Sequence, residues 1–222
     1  DADLDLAVEG AIKSKFASTG QQCICANRIY VHDTIYDEFA KRLHEKVASL
    51  NVGNGLDESN EIGPMVNEKG MEKAHDQVID AVNKGARVLY GGSRLSDGDL
   101  AKGYFYAPTI LVEVKDNMKI CSEETFGPVA PLIRFVSEEE VIMMANNIEY
   151  GLAAYFYTND LSRSYRDSEK LKYGMVGVND PAPFAVQVPF GGVKESGLGR
   201  EGGRYGLDDY LETKLVSVAI RL

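Results

Sequence analysis

Two of the three cysteines, Cys23 and Cys25, stand two apart in the run Phe16-Ala17-Ser18-Thr19-Gly20-Gln21-Gln22-Cys23-Ile24-Cys25-Ala26-Asn27-Arg28. Taken alone, a cysteine reads as a small buried hydrophobe. A loop of small residues with a glycine changes that reading, because its backbone can present a thiolate and nearby N–H groups to one carbonyl. The chemistry this pattern offers is nucleophilic addition to carbonyl carbon.

Other chemistries fit less well. A structural metal site takes about four ligands, and only Cys121 and the scattered His32, His44 and His75 remain to join the pair, so no metal is expected. Gly197-Leu198-Gly199-Arg200-Glu201-Gly202 matches the G-x-G-x-x-G string of dinucleotide-binding turns. That turn must leave a buried strand and open a helix. Here Pro189-Phe190-Gly191-Gly192-Val193-Lys194-Glu195-Ser196 precedes it, which is no strand, so the glycines read as a turn-rich connection.

The chain has 222 residues, 44% hydrophobic, enough for an ordinary core. With 34 acidic and 24 basic residues its net charge is −10, and no basic patch interrupts it, which argues against nucleic-acid and anionic-lipid partners. No apolar run approaches the roughly 18–20 residues of a membrane helix, and the acidic opening is no basic leader. An odd cysteine count in a chain that needs no stapling points to a reducing compartment, the cytoplasm.

The elements that must position the cysteines alternate helical and extended patterns, the mark of an α/β fold with a mostly parallel sheet flanked by helices. Residues 3–15 carry Leu4, Ala7, Val8, Ala11 and Ile12 on one helical stripe, which Phe16 continues. Asp33 is the expected cap of a helix over 34–50, residues 67–84 form another helix ending at Gly85, and Ser137 with Glu140 is a capping box opening a helix to 147. A further helix is expected over 161–172, and strands over 28–32, 86–90, 109–114, 129–135, 152–157 (buried) and 174–179. Residues 1–208 are read as a nucleophile-bearing catalytic domain. Residues 209–222 are read as a C-terminal arm, with a strand over 209–220 that no helix covers and that must pair with its own sheet or another subunit.

Three ordered motifs make the chain resemble the NAD(P)-dependent aldehyde dehydrogenases. The run Phe16…Gly20-Gln21-x-Cys23…Arg28 is similar to their cysteine signature, Glu123-Glu124-Thr125-Phe126-Gly127-Pro128 to their second, and residues 189–201 to their third. Within the family, Cys23-x-Cys25-Ala26-Asn27-Arg28, Gly151-Leu152-Ala153-Ala154-Tyr155-Phe156-Tyr157, Gly174-Met175-Val176-Gly177-Val178-Asn179 and Tyr210-Leu211-Glu212-Thr213-Lys214 look most like the succinate-semialdehyde dehydrogenase branch.

The resemblance implies that Cys23 attacks an aldehyde, that the oxyanion rests on donors including its own N–H, and that hydride loss and hydrolysis follow through a thioester. A free thiol has a pKa near about 8.5, so local electrostatics must raise the thiolate fraction. Glu124 would bond the nicotinamide ribose of NAD or NADP, with Phe126 beside it. Gln22, Ile24, Phe184 and Phe190 would wall the substrate pocket, the two phenylalanines serving equally well as core. The implied partners are a small aldehyde and, in the full-length enzyme, further subunits of a homodimer or homotetramer.

In the family the NAD fold, the amide completing the oxyanion hole and the deacylating glutamate precede the point where this chain begins, so the isolated chain is expected to bind NAD weakly or not at all and not to turn over. Relatives oxidising succinate semialdehyde carry an arginine at the place of Ala17, and losing such a charge-assisted pair costs on the order of 1.5–3 kcal/mol. Residues 180–187 also depart from that branch and look like an apolar wall. Cys25 adds a redox expectation: in an extended backbone its Cα lies near the upper disulfide limit of about 6.8 Å from that of Cys23, so a strained, reducible bridge would switch the nucleophile off. Two alternatives stay open: a non-catalytic fragment that only assembles, and an enzyme passing its thioester to coenzyme A.

Overall fold

The computed structural model describes residues 1–221. Helix α1 (Leu4–Phe16) opens at Asp3, whose carboxylate accepts the N–H groups of Asp5 and Leu6. It buries Ala7, Val8, Ala11 and Phe16 along one face. Strand β1 (Ile29–His32) and helix α2 (Tyr36–Val47) follow, and α2 buries Tyr36, Phe39, Ala40, Leu43 and Val47 at helical spacing. Helix α3 (Glu68–Asn83) starts at Asn67, which accepts the N–H of Gly70 at 2.8 Å, and the chain leaves it through left-handed Gly85.

The main sheet contains β1, β2 (Arg87–Tyr90), β3 (Thr109–Val112) and β4 (Val129–Phe135) in the order β1-β4-β3-β2. The β1–β4 and β3–β4 ladders are parallel and β2 runs antiparallel at the edge. Strand alternation divides the core between its two faces. Ile110, Val112, Ala130 and Leu132 face α1 and α2, while Leu111, Val129 and Ile133 pack with Met71, Ala74 and Val78 of α3. Covered on both faces, residues 110–112 of β3 and 129–133 of β4 are continuous apolar runs, as central parallel strands are.

A short helix α4 (Lys119–Ser122) precedes β4, and α5 (Glu138–Asn146) follows it. A smaller assembly completes the fold: β5 (Tyr150–Gly151) pairs antiparallel with β8 (Val193–Lys194), and β6 (Ala153–Phe156) pairs parallel with β7 (Met175–Val178) across α6 (Leu161–Lys170).

The structure corrects five local expectations. Asp33 does not cap α2, because its carboxylate is engaged by Arg134 at 2.9 Å; His32 Nδ1 instead accepts the N–H of Thr34 at 3.3 Å and caps the turn that precedes the helix, whose own first flanking residue, Ile35, makes no side-chain cap. Residues 33–35 form a 3-10 turn, so the α-helix starts later than its sequence pattern. The box at Ser137 is shifted: Ser137 accepts the N–H of Glu140, but Glu140 reaches the N–H of Val136 at 2.7 Å rather than that of Ser137. Strand β6 is half-buried, not buried, since β7 is its only ladder partner among the described residues. Residues 209–210 end a 3-10 turn and 211–221 join no ladder, so the strand expected over 209–220 does not pair with its own sheet. Leu215 is 92% and Ile220 79% exposed there.

Candidate active site

The cysteine loop is built by stopping α1 abruptly. After Phe16 the chain turns out at Ala17, and Ser18, Thr19 and Gly20 all take positive φ, at 48°, 62° and 72°. Left-handed backbone costs a non-glycine residue about 1–2 kcal/mol, so the surroundings must hold it. They do so from the segment before α3. Thr19 Oγ1 donates to the carbonyl of Gly63 and accepts its N–H, at 3.2 and 3.0 Å, while Gln21 accepts the N–H of Val66 at 2.8 Å and donates to the carbonyl of Pro64 at 3.2 Å. Gly20 lies against the backbone of Gly127, whose carbonyl oxygen would sit 2.2 Å from any Cβ placed there.

A tight turn follows, closed by the N–H of Cys25 donating to the carbonyl of Gln22 at 3.0 Å. It sends the two thiols different ways: Cys23 is exposed, whereas Cys25 is half-buried and its Sγ lies 3.7 Å from the carbonyl oxygen of Ala17. Burial pushes the Cys25 thiol up. All three cysteines are free, and the backbone from Gln22 to Cys25 is a turn, not the extended segment from which a strained bridge was expected. Tyr155 donates its hydroxyl to the carbonyl of Ile24 at 2.8 Å and so fixes the far side of the turn.

Asn27 ties this loop to the second motif. Its amide nitrogen donates to the carbonyls of Ile120 and Glu123, at 3.0 and 3.1 Å, and its oxygen accepts the N–H of Thr125 at 2.9 Å. Thr125 in turn donates to the buried Gln77 at 2.7 Å. Between these anchors Glu124 is exposed and makes no hydrogen bond or ion pair among the described residues, and Phe126 is 38% exposed at φ 52°. A free carboxylate next to an aromatic face on a pinned loop suits the hydroxyls and rings of a nucleotide sugar, so these residues fit one end of a nicotinamide cofactor. Beneath both loops lies Lys15, 1% exposed, whose pKa burial lowers to about 8 while nearby Cys25 and Glu124 oppose the shift.

A cleft of about 430 Å³ opens beside the cysteine loop. Gln22 and Ile24, on either side of Cys23, both line it, with Phe16, Ala17 and Phe184, while Cys23 between them does not. Phe190 does not line it: its N–H and carbonyl are spent on Glu201, at 2.8 and 2.7 Å. Residues 197–202 follow only the two-residue β8 and open into turns, where Arg200 donates to the carbonyls of Gly192 and Gly199. No three His, Cys, Asp or Glu side chains cluster as metal ligands among the described residues.

The sequence reading of single residues missed Lys15, Asn27, Gln77 and Tyr155, all of which act through other groups. Asn27 had a signal, being a side-chain amide at the entry to a strand where a β-former is preferred.

The chain matches the Aldehyde dehydrogenase family over residues 1–216. It belongs to that family. It is 52% identical over 220 residues to the succinate-semialdehyde dehydrogenase [NADP(+)] of Escherichia coli, covering 99% of this chain and 45% of that protein. It is 55% identical over 216 residues to the 3-sulfolactaldehyde dehydrogenase of Pseudomonas putida, covering 97% of this chain and 44% of that one. Among solved structures, the NAD+ complex of an aldehyde dehydrogenase from Bacillus cereus superposes with a TM-score of 0.94 at 39% identity, covering 100% of this chain and 44% of that chain. The aldehyde dehydrogenase chain thus spans a little under half the length of the relatives it matches.

Proposed function

We propose that this chain supplies the nucleophile of an NAD(P)-dependent enzyme that oxidises an aldehyde of semialdehyde type to the carboxylic acid. The observation that carries the reading is the exposed thiol of Cys23, held between two cleft-lining residues and coupled through Asn27 to the loop of Glu124 and Phe126. The Cys23 thiolate adds to the aldehyde carbon, and the oxyanion of the thiohemiacetal rests on donors that include the backbone N–H of Cys23. A bound nicotinamide cofactor supplies the hydride acceptor. Loss of hydride from the thiohemiacetal carbon leaves a thioester on Cys23, and water releases the acid. Glu124 and Phe126 hold the ribose end of the cofactor; Gln22, Ile24 and Phe184 orient the aldehyde.

Product analysis of the full-length enzyme tests this reading. Free acid and reduced cofactor, lost in Cys23→Ala and unchanged by coenzyme A, are the expected result. An acyl-coenzyme A product, or turnover that survives Cys23→Ala, overturns it. The isolated chain is expected to give no steady-state NADH signal with any aldehyde.

Residues 211–221, exposed and rich in Leu215, Val216, Val218 and Ile220, are proposed to pair with a second copy, giving a homodimer or homotetramer. Deleting 211–221 from the full-length protein should lower its mass in solution to that of a smaller assembly. The free thiols favour a cytoplasmic setting.

A further inference from the structure

The cleft beside Cys23 has apolar walls from Ile12, Phe16, Ile24, Ile62 and Phe184, and a single basic side chain, Lys13, among the residues that line it. Lys13 is exposed and makes no ion pair or hydrogen bond among the described residues. Helical geometry puts it there: successive residues rotate by about 100°, so Lys13 and Lys15 diverge by about 200°. Lys15 enters the core, and Lys13 faces the opposite way, into the cleft. Ala17, one turn further on, lines the same cleft and contributes only a methyl group. On the same cleft Glu61 brings a carboxylate, which accepts the N–H of Asn51 at 3.2 Å.

We propose that Lys13 is the specificity-determining residue of this site, binding the distal anionic group of the substrate and making short aldehydes with a terminal carboxylate or sulfonate its substrate class. The inference rests on the aldehyde-oxidising reading and adds to it the chemistry of the substrate's far end. The apolar walls take the methylene chain, the aldehyde reaches Cys23, and the far end meets the ammonium of Lys13. Glu61 repels an anion and so confines it to the wall of α1. The cation stands on the last turn of that helix, close to carbonyls that favour positive charge there. The E. coli and P. putida relatives are named for succinate semialdehyde and 3-sulfolactaldehyde, both of which carry such an anion.

The test compares kcat/KM of the full-length enzyme for succinate semialdehyde and for butanal, which has the same number of carbons and no charge. Lys13→Met should lower the ratio of the two by roughly 10- to 100-fold, mainly through KM for the acid, and Lys13→Arg should restore most of it. Raising salt should shrink the wild-type ratio and leave that of Lys13→Met flat. An unchanged ratio in Lys13→Met overturns the inference while leaving aldehyde oxidation intact. Failure of the wild type to oxidise either aldehyde overturns the underlying reading instead. A cofactor-free readout stands beside it: glutarate should slow alkylation of Cys23 by iodoacetamide in the wild-type chain and not in Lys13→Met. Equal protection in both also overturns the assignment.

Discussion

The side chain of Asn27 and the backbone N–H of Thr125 meet at 2.9 Å, and this bond makes the cysteine loop and the Glu124 loop one unit. The same amide holds the carbonyls of Ile120 and Glu123, so one residue fixes three backbone groups of a segment about a hundred positions away. Replacing it with alanine takes this partner from the Ile120 carbonyl and the Thr125 N–H and leaves Glu123 only the longer bond from Gln77 at 3.4 Å, at about 1–3 kcal/mol for each group that water cannot reach. Asn27→Ala should therefore lower the urea midpoint and, in the full-length enzyme, raise the KM for cofactor more than that for aldehyde. Asn27→Asp keeps the acceptor for Thr125 but sets a carboxylate against two carbonyls, so it should be no milder. A wild-type midpoint and cofactor KM in both variants would show that the coupling is idle.

Gly20 should be irreplaceable in a way that Gly55 is not. At φ 72°, with the carbonyl oxygen of Gly127 2.2 Å from where a Cβ would stand, alanine meets both backbone strain and a rigid clash. Strain alone is about 1–2 kcal/mol, and two backbones must also separate, so Gly20→Ala should cost more than about 3 kcal/mol or prevent folding. Gly55, with no heavy atom within 4 Å and no positive φ, is the control; its alanine variant should melt within a few degrees of the wild type. Thermal melts of the two variants decide the matter.

The thiols should react in the order Cys23, Cys25, Cys121. Cys23 is exposed, Cys25 is half-buried with its thiol pushed up, and Cys121 is buried with its pKa raised to about 11. Since the thiolate is the reacting form, both terms point the same way. Iodoacetamide labelling followed by peptide mapping measures it, and faster labelling of Cys121 than Cys23 would remove the case for a nucleophile.

Peroxide should join Cys23 to Cys25. The exposed thiol is oxidised first to a sulfenic acid with release of water, and the Cys25 thiol then displaces a second water to close the bridge. Closure requires Cys25 to leave the carbonyl of Ala17, which makes it slower than oxidation of Cys23. Intact mass should show a loss of two hydrogens, restored by dithiothreitol and absent in Cys25→Ser. Overoxidation of Cys23 to the sulfinic acid in the unmutated chain is the contrary result.

Much of this architecture was legible in the residues themselves. Strand β4 coincides with its apolar run, and α3 begins and ends at the expected Asn67 and Gly85, because amphipathic spacing and caps are local signals. What stayed hidden depends on partners distant in sequence. Asp33 was a sound cap until Arg134, a hundred residues on, claimed its carboxylate. The extended backbone expected between Cys23 and Cys25 is a turn because Thr19 and Gln21 are lashed to residues 63–66, a constraint no window around the cysteines contains. Phe184 reached the cleft and Phe190 did not, and only the pairing of Phe190 with Glu201 tells them apart. The uncovered terminal segment had a strand-like composition, yet composition cannot supply the neighbour that a ladder needs.

Lys15 should make the chain more stable in mild alkali than at neutral pH. Buried at 1% exposure, its pKa falls from 10.5 to about 8, so between those values the folded chain holds fewer protons at this site than the unfolded chain. Stability therefore rises with pH across that window, and below about pH 8 the full cost of a buried ammonium is present. A shift of this size corresponds to about 3 kcal/mol. Lys15→Met removes the ionisation and keeps most of the volume, so at pH 7 the variant should be more stable than the wild type by up to about that amount, the difference shrinking towards pH 10.5. Urea unfolding of both proteins from pH 7 to 10.5, taken as a difference so that other titrations cancel, measures it. A difference that stays flat over the window would mean that Cys25 and Glu124 compensate the charge in full, and the ammonium would then count as a fixed positive charge beneath the cysteine loop.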